Sequence, residues 1–260
     1  MEVVILPDAD AIASVAARVI TGFLSDKPEA VLGLATGSSP LGVYRRLIER
    51  HRAGEVSFAA AKAFLLDEYV GLPADHAQRY RSVIRDVFEQ YVDFAPDAVR
   101  GPDGNATDLP AECARYEAAI VAAGGVDVQL LGIGTDGHVG FNEPGSSLSS
   151  RTRVKTLTDQ TRADNARFFP TADDVPRHVL TQGLGTITDA RHPLLVATGA
   201  GKAAAVRAMV EGPVSAFCPA SVLQLHPHVT VLLDEDAASA LELADYYRET
   251  YAHKPAWQGL

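Results

Sequence analysis

Six short apolar runs, at residues 3–6, 31–35, 63–66, 127–133, 194–198 and 229–233, punctuate the chain, and amphipathic stretches at 10–24, 42–53, 79–88, 110–123 and 201–211 fill the spaces between them. Such runs suit strands buried on both faces, and the stretches between them carry the apolar stripe of helices. Strand and helix in alternation argue for βαβ units, because parallel strands need a long crossover to return the chain to the same edge. The expected fold is α/β: a three-layer α/β/α sandwich around a mainly parallel, Rossmann-like sheet. No composition shift, linker or repeat divides residues 1–260, so one domain is expected. The polar stretch 141–175 breaks the rhythm, and an active-site lid is expected within 145–175.

In an open α/β sheet, ligands gather beyond the C-terminal ends of the strands. Four of the apolar runs end in residues that can do chemistry. The second runs into Thr36-Gly37-Ser38-Ser39-Pro40 at the start of a helical pattern. Hydroxyls and free amides at a helix N-terminus attract anions, phosphate above all, although serine and threonine also serve there as simple caps. The third ends in Asp67-Glu68-Tyr69, where the aspartate is either a helix cap or a functional acid. The fourth delivers Gly132-Ile-Gly134-Thr-Asp136-Gly137-His138-Val-Gly-Phe-Asn-Glu143-Pro144. A histidine exchanges protons near neutrality, and flanking carboxylates orient it and stabilise its charged form. Asp136, His138 and Glu143 therefore read as a proton-transfer site, with metal binding a minority reading because their spacing matches no common ligand motif.

The same stretch spells GxGxxG, but a dinucleotide fingerprint must open a helix, and Phe141-Asn-Glu-Pro144-Gly145 breaks one. The fifth run ends in Gly199-Ala-Gly201-Lys202. Val196 stands where a P-loop needs glycine and Ala203 where it needs Ser or Thr, so no Walker site is present. What survives is Lys202 as a point charge for phosphate, against the plainer reading of a solvated lysine. The basic stretch Arg151, Arg153 and Lys155, with Arg167, is either a solvated face or a set of phosphate contacts. His51, His76, His178, His192, His228 and His253 belong to no constellation, and His226 is left unassigned.

A formal net charge of −10 argues against a nucleic-acid surface without excluding an anionic substrate. Cys113 and Cys218 lie far apart with no CxxC spacing, which suits a reducing compartment. No targeting segment and no apolar run long enough to span a membrane is visible, so a cytoplasmic protein is expected.

Taken together, these segments are similar to the glucosamine-6-phosphate deaminases over almost the full length. The matching stretches are Gly33-Leu-Ala-Thr36-Gly-Ser-Ser-Pro-Leu-Gly, Leu66-Asp67-Glu-Tyr-Val-Gly-Leu, the Asp136–Pro144 motif, 145–158, Asn165-Ala-Arg167-Phe-Phe, Val210-Glu-Gly-Pro-Val-Ser and Leu223-Gln-Leu-His226. Phe-Asn-Glu-Pro is the most specific of them. The 6-phosphogluconolactonases share the Asp-Gly-His core but continue differently. The resemblance implies reversible isomerisation and deamination of D-glucosamine 6-phosphate to D-fructose 6-phosphate and ammonia, with no organic cofactor. It implies ring opening by His138, held by Asp136 and Glu143, and proton transfer between C2 and C1 by Asp67. Thr36, Gly37, Ser38, Ser39, Gly137, Arg167 and Lys202 would hold the sugar phosphate.

Some members of that family are hexamers activated by N-acetylglucosamine 6-phosphate, at positions matching Ser146, Arg153 and Lys155. The tyrosine that completes their site aligns with Arg248, beside Tyr246 and Tyr247, and non-allosteric members keep the other three residues. Effector response and oligomeric state, a hexamer or smaller, thus stay open. A lactonase is the alternative enzyme. A phosphosugar-sensing repressor domain is the alternative binding module, disfavoured because the first strand starts at Val3 with no room for a DNA-binding segment ahead of it.

Overall fold

The computed structural model describes the backbone of residues 1–260 and all side chains except those of residues 164 and 256. Its strands are β1 Glu2–Leu6, β2 Val31–Leu34, β3 Lys62–Leu65, β4 Asp67–Tyr69, β5 Val99–Arg100, β6 Val128–Leu131, β7 Arg153–Thr156, β8 His178–Thr181, β9 His192–Ala197 and β10 Thr230–Asp234. Its α-helices are α1 Ala9–Asp26, α2 Pro40–Arg52, α3 Tyr80–Val87, α4 Leu109–Ala122, α5 Asp159–Asn165, α6 Leu184–Thr188, α7 Ala203–Val210, α8 Glu235–Ala238 and α9 Ala244–Ala252. No helix among the described residues is long and apolar enough to cross a membrane.

Seven strands form one parallel sheet in the order β1-β10-β9-β6-β2-β3-β5, and β4-β8-β7 form a small antiparallel sheet. Side chains alternate between the faces of the large sheet, and each set meets a different helical layer. Leu32, Leu34, Leu130, Leu194, Val196 and Leu232 pack with Ile12, Ala16 and Ile20 of α1 and Val43, Tyr44 and Leu47 of α2. Leu131, Leu195, Ala197, Val231 and Leu233 face the other way, onto Leu184 and Ile187 of α6, Val206 and Met209 of α7, and Ala237 of α8. Tyr116 and Ile120 of α4 extend that second layer over Val31 and Phe64. The three-layer α/β/α sandwich is therefore the observed fold.

All six expected strands form, with ends shifted by a few residues. The four unexpected ones are short or polar: β4 is Asp-Glu-Tyr, β5 has two residues, β7 is Arg-Val-Lys-Thr and β8 is His-Val-Leu-Thr. None offers the apolar run that marks a strand buried on both faces. Accordingly, 145–175 is not irregular throughout; it supplies β7 and α5. Asp67 does not stand free after β3. Leu66 separates it from that strand, and Asp67 opens β4, paired with Thr181 of β8.

The strand order decides where chemistry can occur. From β2 the chain moves outward through β3 to β5, and from β6 it moves the opposite way through β9 to β10. The reversal lies between β2 and β6, and such a switch point opens a crevice at the carboxyl edge. The four strands with chemical endings, β9, β6, β2 and β3, are consecutive in the sheet.

Candidate active site

Along this edge the 198–202 turn, the 132–143 loop, the 36–39 loop and Asp67 succeed one another. Asp67 follows β3 and the His138 loop follows β6, consecutive apolar runs in the sequence, but β2 lies between those strands in the sheet. The small sheet carries Asp67 back towards that loop. A methyl group built at Gly140 would lie 3.6 Å from Asp67 Oδ2 and 3.0 Å from Oγ1 of Thr181.

Asp67 is only 6% exposed, and among the described residues its carboxyl forms no hydrogen bond. Burial, helped by the charge of Glu68 beside it, pushes its pKa up to about 8. The same residues flanking a strand would have made an ordinary cap if the chain had turned into a helix, but no helix starts there. Glu68 points away and does the capping instead. Fully buried, it accepts the backbone N–H groups of Tyr69 (2.9 Å), Tyr80 (2.9 Å) and Arg81 (3.0 Å), so it fixes the first turn of α3 and anchors β4. Sequence reasoning missed Glu68 because its partners lie 12 and 13 residues downstream.

The 132–143 loop opens no helix; the next regular element is β7. Its glycines serve the histidine. A side chain at Gly134 would put a Cβ 2.2 Å from the His138 ring, and Gly137 has φ +86°, a conformation that favours glycine. Asp136 Oδ1 accepts both the ring Nδ1–H of His138 (2.6 Å) and its backbone N–H (3.2 Å). Glu143 Oε2 lies 3.9 Å from the same Nδ1. The hydrogen bond from His138 holds the Asp136 carboxyl well below the usual carboxylate range. Burial pushes Glu143 the opposite way, against the hydrogen bond it accepts from Thr161 on α5. Two nearby carboxyls whose proton affinities are shifted in opposite directions bracket one imidazole. The donor atoms of the three lie within 4.8 Å of one another. That spacing would also admit a cation, but each of the three groups is already engaged in a hydrogen bond that fixes its orientation.

At the end of β2, Ser39 occupies the position before α2 without capping it, and Pro40 fills the first turn. The side-chain cap expected of Ser39 is not made, and Gly37 has φ +100° in the turn that carries Thr36, Ser38 and Ser39 to the start of α2. Lys202 ends the 3-10 turn Ala200–Lys202 at the start of α7. That turn is held by Asp234, whose two oxygens accept Gly199 N–H at 3.0 and 2.9 Å. Arg167 lies on the exposed 3-10 turn Ala166–Phe168, its guanidinium 4.7 Å from the centre of the Phe168 ring. Among the described residues it has no ion pair.

The 157–175 segment rests on the site through an aromatic cluster. Phe169 packs edge-on to Tyr69 (5.6 Å) and stacks on His76 (5.8 Å), while Tyr80 stacks on Phe141 (6.1 Å). Further along, Arg153 and Lys155 share β7 two residues apart, burial lowers the Arg153 pKa, and Ser146 is buried with its hydroxyl unbonded. His226, unassigned from sequence, ties Nε2 to the carbonyl of Ala190 (2.8 Å) and accepts the backbone N–H of His228 at Nδ1 (3.0 Å). Its role is structural and lies outside the site.

Residues 8–232 match the family model for glucosamine-6-phosphate isomerases and 6-phosphogluconolactonases. Curated relatives called glucosamine-6-phosphate deaminase include one from Mycolicibacterium smegmatis, 67% identical with all of both chains covered, and one from Streptomyces coelicolor, 60% identical with the same coverage. A solved structure described as a monomeric glucosamine-6-phosphate deaminase superposes with a TM-score of 0.90 at 47% identity, over 92% of this chain and all of that one. The 6-phosphogluconolactonase of Trypanosoma cruzi, at 22% identity and TM-score 0.74 over 93% of this chain and 97% of that one, shares the fold. The chain belongs to the glucosamine-6-phosphate isomerase/6-phosphogluconolactonase family.

Proposed function

We infer that this chain is a glucosamine-6-phosphate deaminase, converting D-glucosamine 6-phosphate and water reversibly to D-fructose 6-phosphate and ammonia. One observation carries the reading beyond the family as a whole: a buried carboxyl of raised proton affinity, Asp67, sits at the same edge as a separately built acid–base cluster around His138. Hydrolysis of a lactone needs one activated water and moves no carbon-bound proton. Aldose–ketose isomerisation needs a second base that can reach two adjacent carbons.

The residues divide the reaction as follows. The Thr36–Ser39 loop with Lys202, and Arg167 when its segment closes, holds the phosphate, and that remote anchor positions the reacting carbons. Ionised Asp136 accepts the Nδ1–H of His138, which leaves Nε2 to take the proton of the anomeric hydroxyl while the ring oxygen is protonated and the C1–O5 bond opens. Asp67 then removes the hydrogen on C2 of the open aldose while a proton passes from the substrate's ammonium to O1, giving an enolamine. The substrate's ammonium, arriving beside it, favours the ionised carboxylate that this step requires. Returned to C1, the proton leaves an imine at C2, which water hydrolyses to the ketone and ammonia. C1 is reduced and C2 oxidised by the same shift, so the electrons balance within the substrate.

We further take the chain as one domain with its lid within 145–175. The contacts of Phe169 with Tyr69 and of Thr161 with Glu143 support this, since they link that segment to both halves of the site. A cytoplasmic setting fits a charged sugar phosphate, which does not cross a bilayer unaided, and two free thiols. Ser146, Arg153 and Lys155 would form an effector site if N-acetylglucosamine 6-phosphate activates the enzyme. A solution mass, with turnover measured in the presence and absence of that compound, separates a single chain from a regulated assembly. The activity itself is tested by following ammonia and fructose 6-phosphate from glucosamine 6-phosphate beside hydrolysis of 6-phosphogluconolactone. Ammonia release in the first and none above background in the second is expected; the reverse would make the chain a lactonase.

A further inference from the structure

We propose that Thr161 is a positioning residue for ring opening, through which the first turn of α5 orients Glu143 towards His138. The inference rests on the deaminase reading of the site.

The hydroxyls of Thr158 and Thr161 leave little choice of direction. Thr158 caps α5: its Oγ1 accepts the backbone N–H of Thr161 (3.1 Å). Its own hydrogen goes to Thr161 Oγ1, 3.0 Å away. A hydroxyl has one hydrogen to give. With an oxygen lone pair of Thr161 taken by Thr158, its hydrogen is directed at Oε1 of Glu143. Glu143 is thereby held by one oxygen, and the other, Oε2, faces His138 Nδ1 at 3.9 Å. Thr161 is 7% exposed and Glu143 5%, so water does not readily replace the bond.

The consequence is a dependence of chemistry on folding of the lid. Only when the 158–161 turn is formed and seated does Glu143 have its donor. The titratable groups facing Glu143 are Asp136 and His138 on its own loop, and α5 contributes the neutral Thr161. Cys218, on the segment packed behind Gly137, adds a thiol beside Asp136. Because the Thr161 bond favours the ionised form of Glu143, its loss drives the carboxyl further towards its protonated state.

The test compares wild type, Thr161→Val, which keeps shape but cannot donate, and Thr161→Ser, which can. Turnover of glucosamine 6-phosphate is read against pH, with binding of an open-chain amino-hexitol 6-phosphate as a check on the phosphate site. Thr161→Val is expected to lower kcat by roughly tenfold or more, with KM and analogue binding little changed. The limb of the pH profile governed by Glu143 should move to higher pH, and Thr161→Ser should recover most of the loss. Thr158→Val, one step further out, should act in the same direction and less. Wild-type kcat and profile in Thr161→Val, or equal damage from Val and Ser, would overturn the proposal. Failure of the wild type to release ammonia would overturn the deaminase reading, and this inference with it.

Discussion

One oxygen of Asp136 holds His138 twice, accepting the ring Nδ1–H at 2.6 Å and the backbone N–H at 3.2 Å. An ionised carboxylate can only accept, so Nδ1 carries its hydrogen and Nε2 is the nitrogen left to act. Asp136→Asn keeps the size of the side chain but can offer Nδ1 a donor instead of an acceptor. It should lower kcat by about 100-fold or more with little change in KM, measured by steady-state ammonia release. His138→Gln should slow the cyclic substrate more than an open-chain one; equal losses on both would count against ring opening as its task.

The raised pKa of Asp67 has a stability consequence of definite sign. In the unfolded chain this carboxyl ionises near 3.8, as an ordinary aspartate does, whereas in the folded protein it keeps its proton to about 8. The folded state therefore binds the extra proton between those values, and its stability falls as pH rises through that window. Asp67→Asn removes the penalty. Denaturant unfolding at pH 9 should find the variant more stable than wild type by roughly 2–5 kcal/mol, with the difference vanishing towards pH 4. A variant less stable than wild type at pH 9 would refute the buried, unpaired carboxyl.

Gly134→Ala tests why the loop spells a nucleotide fingerprint without being one. Its Cβ would fall 2.2 Å from the imidazole, so the ring must move. Displacement of the acid–base group by about an ångström is expected to cost about 100-fold in turnover. Binding of inorganic phosphate, which the proposed function assigns to the Thr36–Ser39 loop and Lys202, should survive in the same preparation.

His192 predicts the acid side of the stability curve. It is buried, bonded through Nε2 to Thr230 Oγ1 (2.9 Å), and burial, with the nearby charges of His228, His226 and Lys254, lowers its pKa to about 4. The unfolded chain takes up the proton near 6.5, the folded chain only near 4, so stability is lost as pH falls between them. The loss attributable to this group is up to about 3 kcal/mol. His192→Gln should flatten thermal stability against pH between 6.5 and 4; an unchanged slope would place the acid sensitivity elsewhere.

Much of this was written plainly in the sequence. Strands buried on both faces announce themselves as apolar runs, so the parallel sheet and its four chemical endings were legible before their order was known. The His138 cluster was legible because its members lie within eight residues, from Asp136 to Glu143. The small sheet was not, since β4 and β7 are polar and gain their stability from pairing with β8. For that reason the residues alone leave Asp67 as either a cap or a functional acid, and the route by which it meets the Gly140 loop is hidden. Glu68 and Thr161 were invisible for a related cause: one caps a helix twelve residues away, and the other reaches a carboxylate eighteen residues earlier. Asparagine-142, in the Phe-Asn-Glu-Pro motif, shows its reason only in three dimensions. Its Nδ2 donates to the carbonyls of Val139 and Gln182 (2.9 and 2.8 Å), closing the loop onto β8's end.

The central claim is that Asp67 moves the proton between C2 and C1 while the His138 cluster opens the ring. Its most direct test is deuterium incorporation at C1 of fructose 6-phosphate when glucosamine 6-phosphate is turned over in heavy water. Wild type should introduce the label, and Asp67→Asn should bind an open-chain substrate analogue normally yet lose labelling by about 100-fold or more. Labelling at a near wild-type rate in Asp67→Asn would contradict the account.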